Sequence, residues 1–354
     1  MESNIIIQKN ISKTESFTIK GIAILLMLIH HFFTFPQWIV TGRYLPNSEL
    51  ALIFSSPTKL CVCIFAFLNG YAFALGNKTY KDAINKIRKI FANYWFIAIP
   101  AILFAVFICN YELTKFEIVK ELFGLSSEVM IFAWYVPFYC VSIIITTLMQ
   151  KYLDKSIWGG LLIGIALPIC VFYLLENLSL PTEIKTLFNN LKHWFPCITV
   201  GYLSYKYNGI EKFGIFTKKL NREFVSIVLI LFCFVGRYFI SGLDFIYCFL
   251  LVFSIINLHI SNDEIIGQFL QCCGKNSSNM WFLHCLYFAV ATRESIQPLA
   301  YWAKYPILIY AVAVIELIVC SEMITGIKQN VKKFKIPNIT VRKSKKQIQM
   351  LYFI

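Results

Sequence analysis

The chain has 354 residues, 58% of them hydrophobic, and a mean hydropathy of +0.65. A soluble domain is about 45–50% apolar, so this composition excludes an ordinary soluble globular protein. The formal net charge is +14, which in a soluble chain would suggest a nucleic-acid partner. In so apolar a chain the excess of basic residues instead indicates membrane topology, and we expect no nucleic-acid partner.

The predicted elements are apolar blocks of roughly 18–22 residues, the length needed to cross a hydrocarbon core about 30 Å thick. We therefore predict an all-α, polytopic membrane protein with about ten transmembrane helices, the first a retained helix and not a signal peptide. The seventh and eighth segments, separated by "SGLD", predict a tight hairpin, and Pro196 predicts a short sixth segment that is kinked or interfacial. The ten segments lie near residues 17–36, 57–76, 90–109, 130–150, 157–175, 192–207, 223–240, 242–260, 280–298 and 305–327.

The basic residues predict the orientation. Most of the 33 lysines and arginines fall in connecting segments that face the cytoplasm if both termini are cytoplasmic, as the positive-inside rule requires. We divide the chain into a cytoplasmic N-terminal segment (1–16), a transmembrane domain (17–327) and a basic cytoplasmic tail (328–354). Contact of this basic surface with anionic membrane lipid is expected.

The first apolar segment carries two adjacent histidines in "KGIAILLMLIHHFF", Lys20 to Phe33. The eleven steps from Lys20 to His31 turn a helix through about 1100°, so the two residues share one face, and the rise of about 16 Å places His31 near mid-membrane. His30 lies about 80° away from Lys20 around the helix. Because intramembrane ionisable residues usually have a function, we predict that His31 and Lys20 are catalytic. The alternatives are a histidine that only makes a helix–helix hydrogen bond, and a helix end that lies nearer the outer surface than mid-membrane.

A basic cluster, Lys86, Arg88 and Lys89, precedes the third apolar segment. Such a cluster could bind the phosphates of a nucleotide-type ligand. The alternative is an ordinary positive-inside anchor.

The stretch "GKNSSNMWFLH", Gly274 to His284, is typical of the start of a helix, because asparagine and serine favour N-cap positions. A helix N-terminus with Lys275 and Ser277 could hold an anion, and His284 would lie about one turn into the ninth helix, on the cytoplasmic side. The alternative is capping alone. The twelve cysteines show no metal-site spacing and are interpreted as small buried side chains, so no metal is expected.

Together these motifs resemble the acyltransferase 3 family of membrane acyltransferases. That family opens with a basic residue, Gly-Ile-Ala and a histidine ten residues further on, which correspond to Lys20, Gly21-Ile22-Ala23 and His31, with lysine where arginine is usual. The further motifs that match are Asn69-Gly70-Tyr71, Lys86-x-x-Lys89, Trp134-Tyr135-Val136 and Gly274 to His284.

The resemblance implies transfer of an acyl group, usually acetyl from acetyl-CoA, to a sugar hydroxyl. The expected acceptor is a capsule, exopolysaccharide or lipopolysaccharide, or a lipid-linked glycan precursor, at a bacterial inner membrane. His31 would act as base or transient acyl acceptor. Donor binding would fall to Lys86, Arg88, Lys89, Lys275, Ser277 and His284. Two alternatives stay open: a transporter or flippase of polysaccharide precursors, and a sensor or scaffold with a decayed site.

Overall fold

The computed structural model describes residues 10–40, 48–76, 79–218 and 220–334. All regular structure in these residues is helical, which confirms the predicted all-α class. The helices are α1 (Lys13–Phe33), α2 (Ser48–Ser55), α3 (Leu60–Ala74), α4 (Tyr80–Phe107), α5 (Lys115–Leu122), α6 (Tyr135–Leu153), α7 (Ile157–Leu161), α8 (Leu167–Glu176), α9 (Thr182–Lys206), α10 (Gly209–Lys218), α11 (Arg222–Phe239), α12 (Asp244–Asn257), α13 (Ile266–His284), α14 (Arg293–Tyr301) and α15 (Pro306–Phe334).

Six helical stretches in the described residues are long and apolar enough to cross a membrane, which supports a multi-pass membrane protein. They are Lys13–Phe33, Leu50–Ala74, Tyr80–Phe107, Tyr135–Leu153, Ile157–Glu176 and Pro306–Val331, and Ser241–Asn257 is a shorter apolar helix. The count of ten spans and the cytoplasmic termini stay predictions. Of the predicted terminal segments, residues 1–9 and 335–354 lie outside the described residues, and α15 continues through Lys328 to Phe334.

Helices α1 and α13 cross in close contact at two glycines. A Cβ atom on Gly21 would overlap the carbonyl oxygen of Leu270, and one on Gly274 would overlap that of Phe17. The missing side chains let the two backbones touch, as in small-residue packing between membrane helices. Because His31 and His284 also meet, each ten residues beyond its glycine, the two helices run parallel.

Helices α3 and α9 pack in the same way. A Cβ on Gly70 would overlap the carbonyl of Ile198, and the Asn69 side-chain amide donates to the Tyr135 hydroxyl of α6 at 2.8 Å. Gly70 and the amide beside it thus join α3 to two neighbouring helices, α9 and α6. The prediction of a short segment around Pro196 is wrong, since α9 runs for 25 residues with Pro196 inside it.

The predicted hairpin of the seventh and eighth segments is confirmed: α11 and α12 lie side by side, and Arg237 Nε is 2.6 Å from Asp244 Oδ1 at their junction. The predicted helix start at Gly274 is wrong. Helix α13 begins at Ile266, because Asp263 accepts hydrogen bonds from the N–H groups of Ile265 and Ile266 at 2.9 and 2.6 Å. The ninth apolar segment, placed at 280–298, therefore begins 14 residues earlier and ends at His284.

Candidate active site

The site is built on a pair of histidines from two parallel helices. His31 Nδ1 lies 2.8 Å from His284 Nε2, and the two rings are nearly coplanar, 6° apart with centroids 4.9 Å apart. His284 is fully buried and His31 partly buried. His284 was expected on the cytoplasmic side, one turn into a helix. It is instead the last residue of α13, because that helix starts earlier than predicted.

The hydrogen bonds fix which nitrogens carry protons. His284 Nδ1 bonds the backbone carbonyl of Trp281, and a carbonyl oxygen only accepts, so His284 Nδ1 is the protonated nitrogen. Neutral His284 then offers the Nε2 lone pair, and His31 Nδ1–H donates to it. In neutral His31 the remaining nitrogen, Nε2, keeps its lone pair. The helix–helix hydrogen bond therefore occupies one nitrogen of His31 and leaves a base on the other.

Aromatic rings hold the pair in place. The Phe132 ring stacks on His31 with centroids 3.7 Å apart and planes 3° apart, and Phe288 meets His31 edge-on at 6.5 Å. The Trp281 indole N–H donates to the Phe132 carbonyl at 3.2 Å. A flat aromatic face against an imidazole restricts the rotation of the His31 ring.

His31 opens onto a cavity of about 200 Å³ that we call the histidine cavity. Four tryptophans and two phenylalanines form half of its lining, which also includes Lys59 and Asn190. The aromatic residues are Trp38, Trp134, Trp194, Trp281, Phe35 and Phe132. His30 also lines this cavity, but its Nδ1 faces the Ser55 carbonyl at 3.2 Å and the Thr34 hydroxyl at 3.1 Å, so it is held by neighbouring helix ends.

Lys20 lines a second cavity of about 90 Å³, which we call the lysine cavity. Lys20 is only 8% exposed, and its ammonium lies 6.0 Å from the Phe17 ring centroid. The polar groups around it come from three helices, α3, α6 and α13. They are Asn69, Tyr135, Tyr139, Ser277 and Ser278. Lys20 and His31 therefore open onto neighbouring cavities on one side of α1, as their spacing predicts.

The two cavities adjoin, because Trp281 lines both of them. A third space of about 370 Å³, the loop groove, is formed by the segment after α5 and the start of α9. It shares Trp134, Thr186 and Asn190 with the histidine cavity. The three spaces thus follow one another through the bundle, with His31 at the middle one.

The loop that carries Phe132 is held by a buried carboxylate. Glu121 accepts hydrogen bonds from the N–H groups of Val129 and Met130 at 2.9 and 3.1 Å. Burial raises the pKa of Glu121 above its ordinary value, and these hydrogen bonds oppose the shift. At the edge of the loop, the Glu128 carboxylate accepts from the Tyr111 hydroxyl and raises the pKa of Tyr111 to about 12.

The basic cluster lies apart from the cavities. Lys86 is half-buried with its ammonium 5.3 Å from the Phe73 ring centroid, whereas Arg88 and Lys89 are exposed. Of this part of α4, Ile90 reaches the lysine cavity. Lys275 is exposed on α13, and Ser277, which is buried two residues further on, lines the lysine cavity. Because α13 begins earlier than predicted, neither residue lies at a helix N-terminus.

The sequence reading missed a polar network beside the lysine cavity. The Asn93 amide donates to the Ser278 hydroxyl at 2.8 Å, and Lys328 donates to Asn279 at 3.0 Å and to Asn93. These residues come from three helices. The available signal was the presence of asparagine and lysine inside otherwise apolar stretches.

The fold defines a multi-pass helical membrane protein, and the histidine pair joins two of its helices. Residues 18–321 match the family described as an acyltransferase domain, which is nearly the whole chain and confirms the resemblance. The chain belongs to the acyltransferase 3 family of membrane acyltransferases. No curated protein and no solved structure matches it.

Proposed function

We propose that the protein is an O-acyltransferase that moves acetyl from acetyl-CoA to a sugar hydroxyl of a surface polysaccharide or its lipid-linked precursor, with His31 as general base. One observation carries this proposal: the hydrogen-bond chain from the Trp281 carbonyl through His284 to His31 leaves the Nε2 lone pair of His31 free. A base positioned by a second group is the arrangement that activates a hydroxyl nucleophile.

In the proposed reaction the acceptor hydroxyl gives its proton to His31 Nε2 while its oxygen attacks the thioester carbonyl. The C–O bond forms, the C–S bond breaks, and the CoA sulfur leaves with the proton that His31 had taken. His284 accepts a hydrogen bond from His31 Nδ1 throughout, and so stabilises the imidazolium while it lasts. Direct transfer needs no further reactant.

The cavities suggest how two substrates reach one base. We propose that acetyl-CoA comes from the end of the bundle with Lys20, Asn93 and Lys328, which the positive-inside rule makes cytoplasmic. Its pantetheine arm would occupy the lysine cavity, lined by Lys20 and Ser277, and its phosphates would lie near Lys86, Arg88 and Lys89 outside it. The acceptor would come through the loop groove into the histidine cavity.

The test compares His31→Ala with its neighbour His30→Ala in purified protein. CoA released from acetyl-CoA with the glycan acceptor present is expected in wild type and in His30→Ala. In His31→Ala it should fall by about 10²–10⁴-fold, the usual contribution of a general base. Full CoA release by folded His31→Ala would contradict the mechanism. If wild-type protein released no CoA with any acceptor tried, a transporter would be favoured instead. Cavities in series would also suit a transporter.

A further inference from the structure

Lys59 places a cation in the wall of the histidine cavity, although it belongs to none of the motifs discussed so far. It ends the short turn Ser56–Lys59 that leads into α3. Its ammonium lies 5.3 Å from the centroid of the Trp194 ring, another wall of the cavity. An ammonium against a tryptophan face is held by a cation–π contact, which leaves its N–H donors available.

The charges around Lys59 are unbalanced. The neighbouring carboxylate is Asp244, 3% exposed, and both of its oxygens have partners. Oδ1 lies 2.6 Å from Arg237 Nε, and Oδ2 accepts from the Trp194 indole N–H at 3.3 Å. No aspartate or glutamate is among the described residues that line the histidine cavity. Two cations, Lys59 and Arg237, therefore share one carboxylate, Asp244, and one positive charge is left uncompensated. This charge is partly buried, and it would attract an anion.

We infer that the histidine cavity is an acceptor subsite for a sugar that carries an anionic group, a carboxylate or a phosphate, and that Lys59 binds this group. The inference rests on the proposed function and names its acceptor class. The tryptophans supply apolar wall against which a sugar ring can pack, and Asn190 supplies an amide donor and acceptor for hydroxyls. Lys59 then selects among sugars by charge.

The position of Lys59 separates this role from donor binding. The proposed donor site lies around Lys20, in the lysine cavity, whose lining does not include Lys59. The cavity that Lys59 lines instead adjoins the loop groove, with which it shares Trp134, Thr186 and Asn190. An anionic unit held by Lys59 can thus belong to a longer glycan that extends into the groove.

The test measures binding of three matched probes by calorimetry without acyl-CoA: methyl glucoside, methyl glucuronide and methyl glucoside 6-phosphate. Wild type should bind an anionic probe about 10–150-fold more tightly than the neutral one, the range of one charge-assisted hydrogen bond. Lys59→Met should remove the preference and Lys59→Arg keep it. Lys115→Met, an exposed lysine on α5, is the control that changes only net charge.

Preference for the glucuronide would identify an acidic sugar, and preference for the phosphate a phosphate-bearing glycan or a phosphate-linked lipid carrier. Equal binding of all three probes, no binding of the anionic ones, or an unchanged preference in Lys59→Met would overturn the inference. Because binding is measured without the donor, this result is independent of CoA release, which tests the proposed function. If Lys59 acted on the acyl oxyanion instead, Lys59→Met would lower kcat for neutral and anionic acceptors alike.

Discussion

Replacing His284 tests the role that the structure gives it, which is to orient His31 and stabilise the imidazolium. In the transition state the hydrogen bond from His31 Nδ1 to His284 Nε2 becomes charge-assisted. Such a bond contributes about 1.5–3 kcal/mol, so His284→Ala should lower kcat by about 10–150-fold. KM for acetyl-CoA should change little, because His284 lines neither the lysine cavity nor the loop groove. His284→Asn, which can present a carbonyl oxygen to His31, should lose less.

The assay is chromatographic measurement of free CoA. His284 is fully buried, so each variant needs a melting temperature to separate loss of fold from loss of rate. His193→Ala, an exposed histidine on α9, is the matched control and should behave as wild type. A folded His284→Ala protein with kcat within about twofold of wild type would refute the positioning role, because even the low end of the expected loss is about tenfold.

Three further predictions concern packing, the donor and the loop. Gly274→Ala should lower the melting temperature, because its Cβ would overlap the Phe17 carbonyl, whereas Gly326→Ala, with open space around it, should not; equal effects would argue against the helix contact. Lys20→Met should raise KM for acetyl-CoA more than Lys89→Met, because Lys20 lines the lysine cavity and Lys89 is exposed; the reverse order would contradict a donor site in the lysine cavity. Because burial raises the pKa of Glu121, its ionisation lowers stability as pH rises from about 4.3 towards the folded pKa. In Glu121→Gln this dependence of the melting temperature on pH should disappear. The variant should also lose about 1–3 kcal/mol of stability, because one backbone N–H is left unpaired. An unchanged pH dependence would exclude Glu121 as its source.

Local periodicity was enough to predict several features of the chain. The helical class, the hairpin of α11 and α12 and the shared side of Lys20 and His31 all follow from spacing within one or two segments. The Asn69-Gly70 contact was also predictable, because a small residue beside an amide in an apolar segment signals close helix packing.

The partner of His31 could not be predicted in this way. His284 is 253 residues away in the chain, and its place beside His31 depends on the crossing of α1 and α13 at their glycines. The same contact explains the misplaced helix start, since Gly274 and its polar neighbours have the composition of a cap but lie inside a helix that Asp263 starts earlier. Lys59 carried no sequence signal beyond an ordinary lysine, because its significance comes from the tryptophans and the paired Asp244 around it.

The most direct test of the account is transfer of labelled acetyl to the glycan itself. Membranes with wild type, His30→Ala or His31→Ala protein are supplied with [13C]acetyl-CoA, and the glycan is then examined by NMR for a labelled O-acetyl group. The account predicts label in the wild-type and His30→Ala glycans and none in the His31→Ala glycan. Labelled O-acetyl groups at wild-type level with His31→Ala would contradict it.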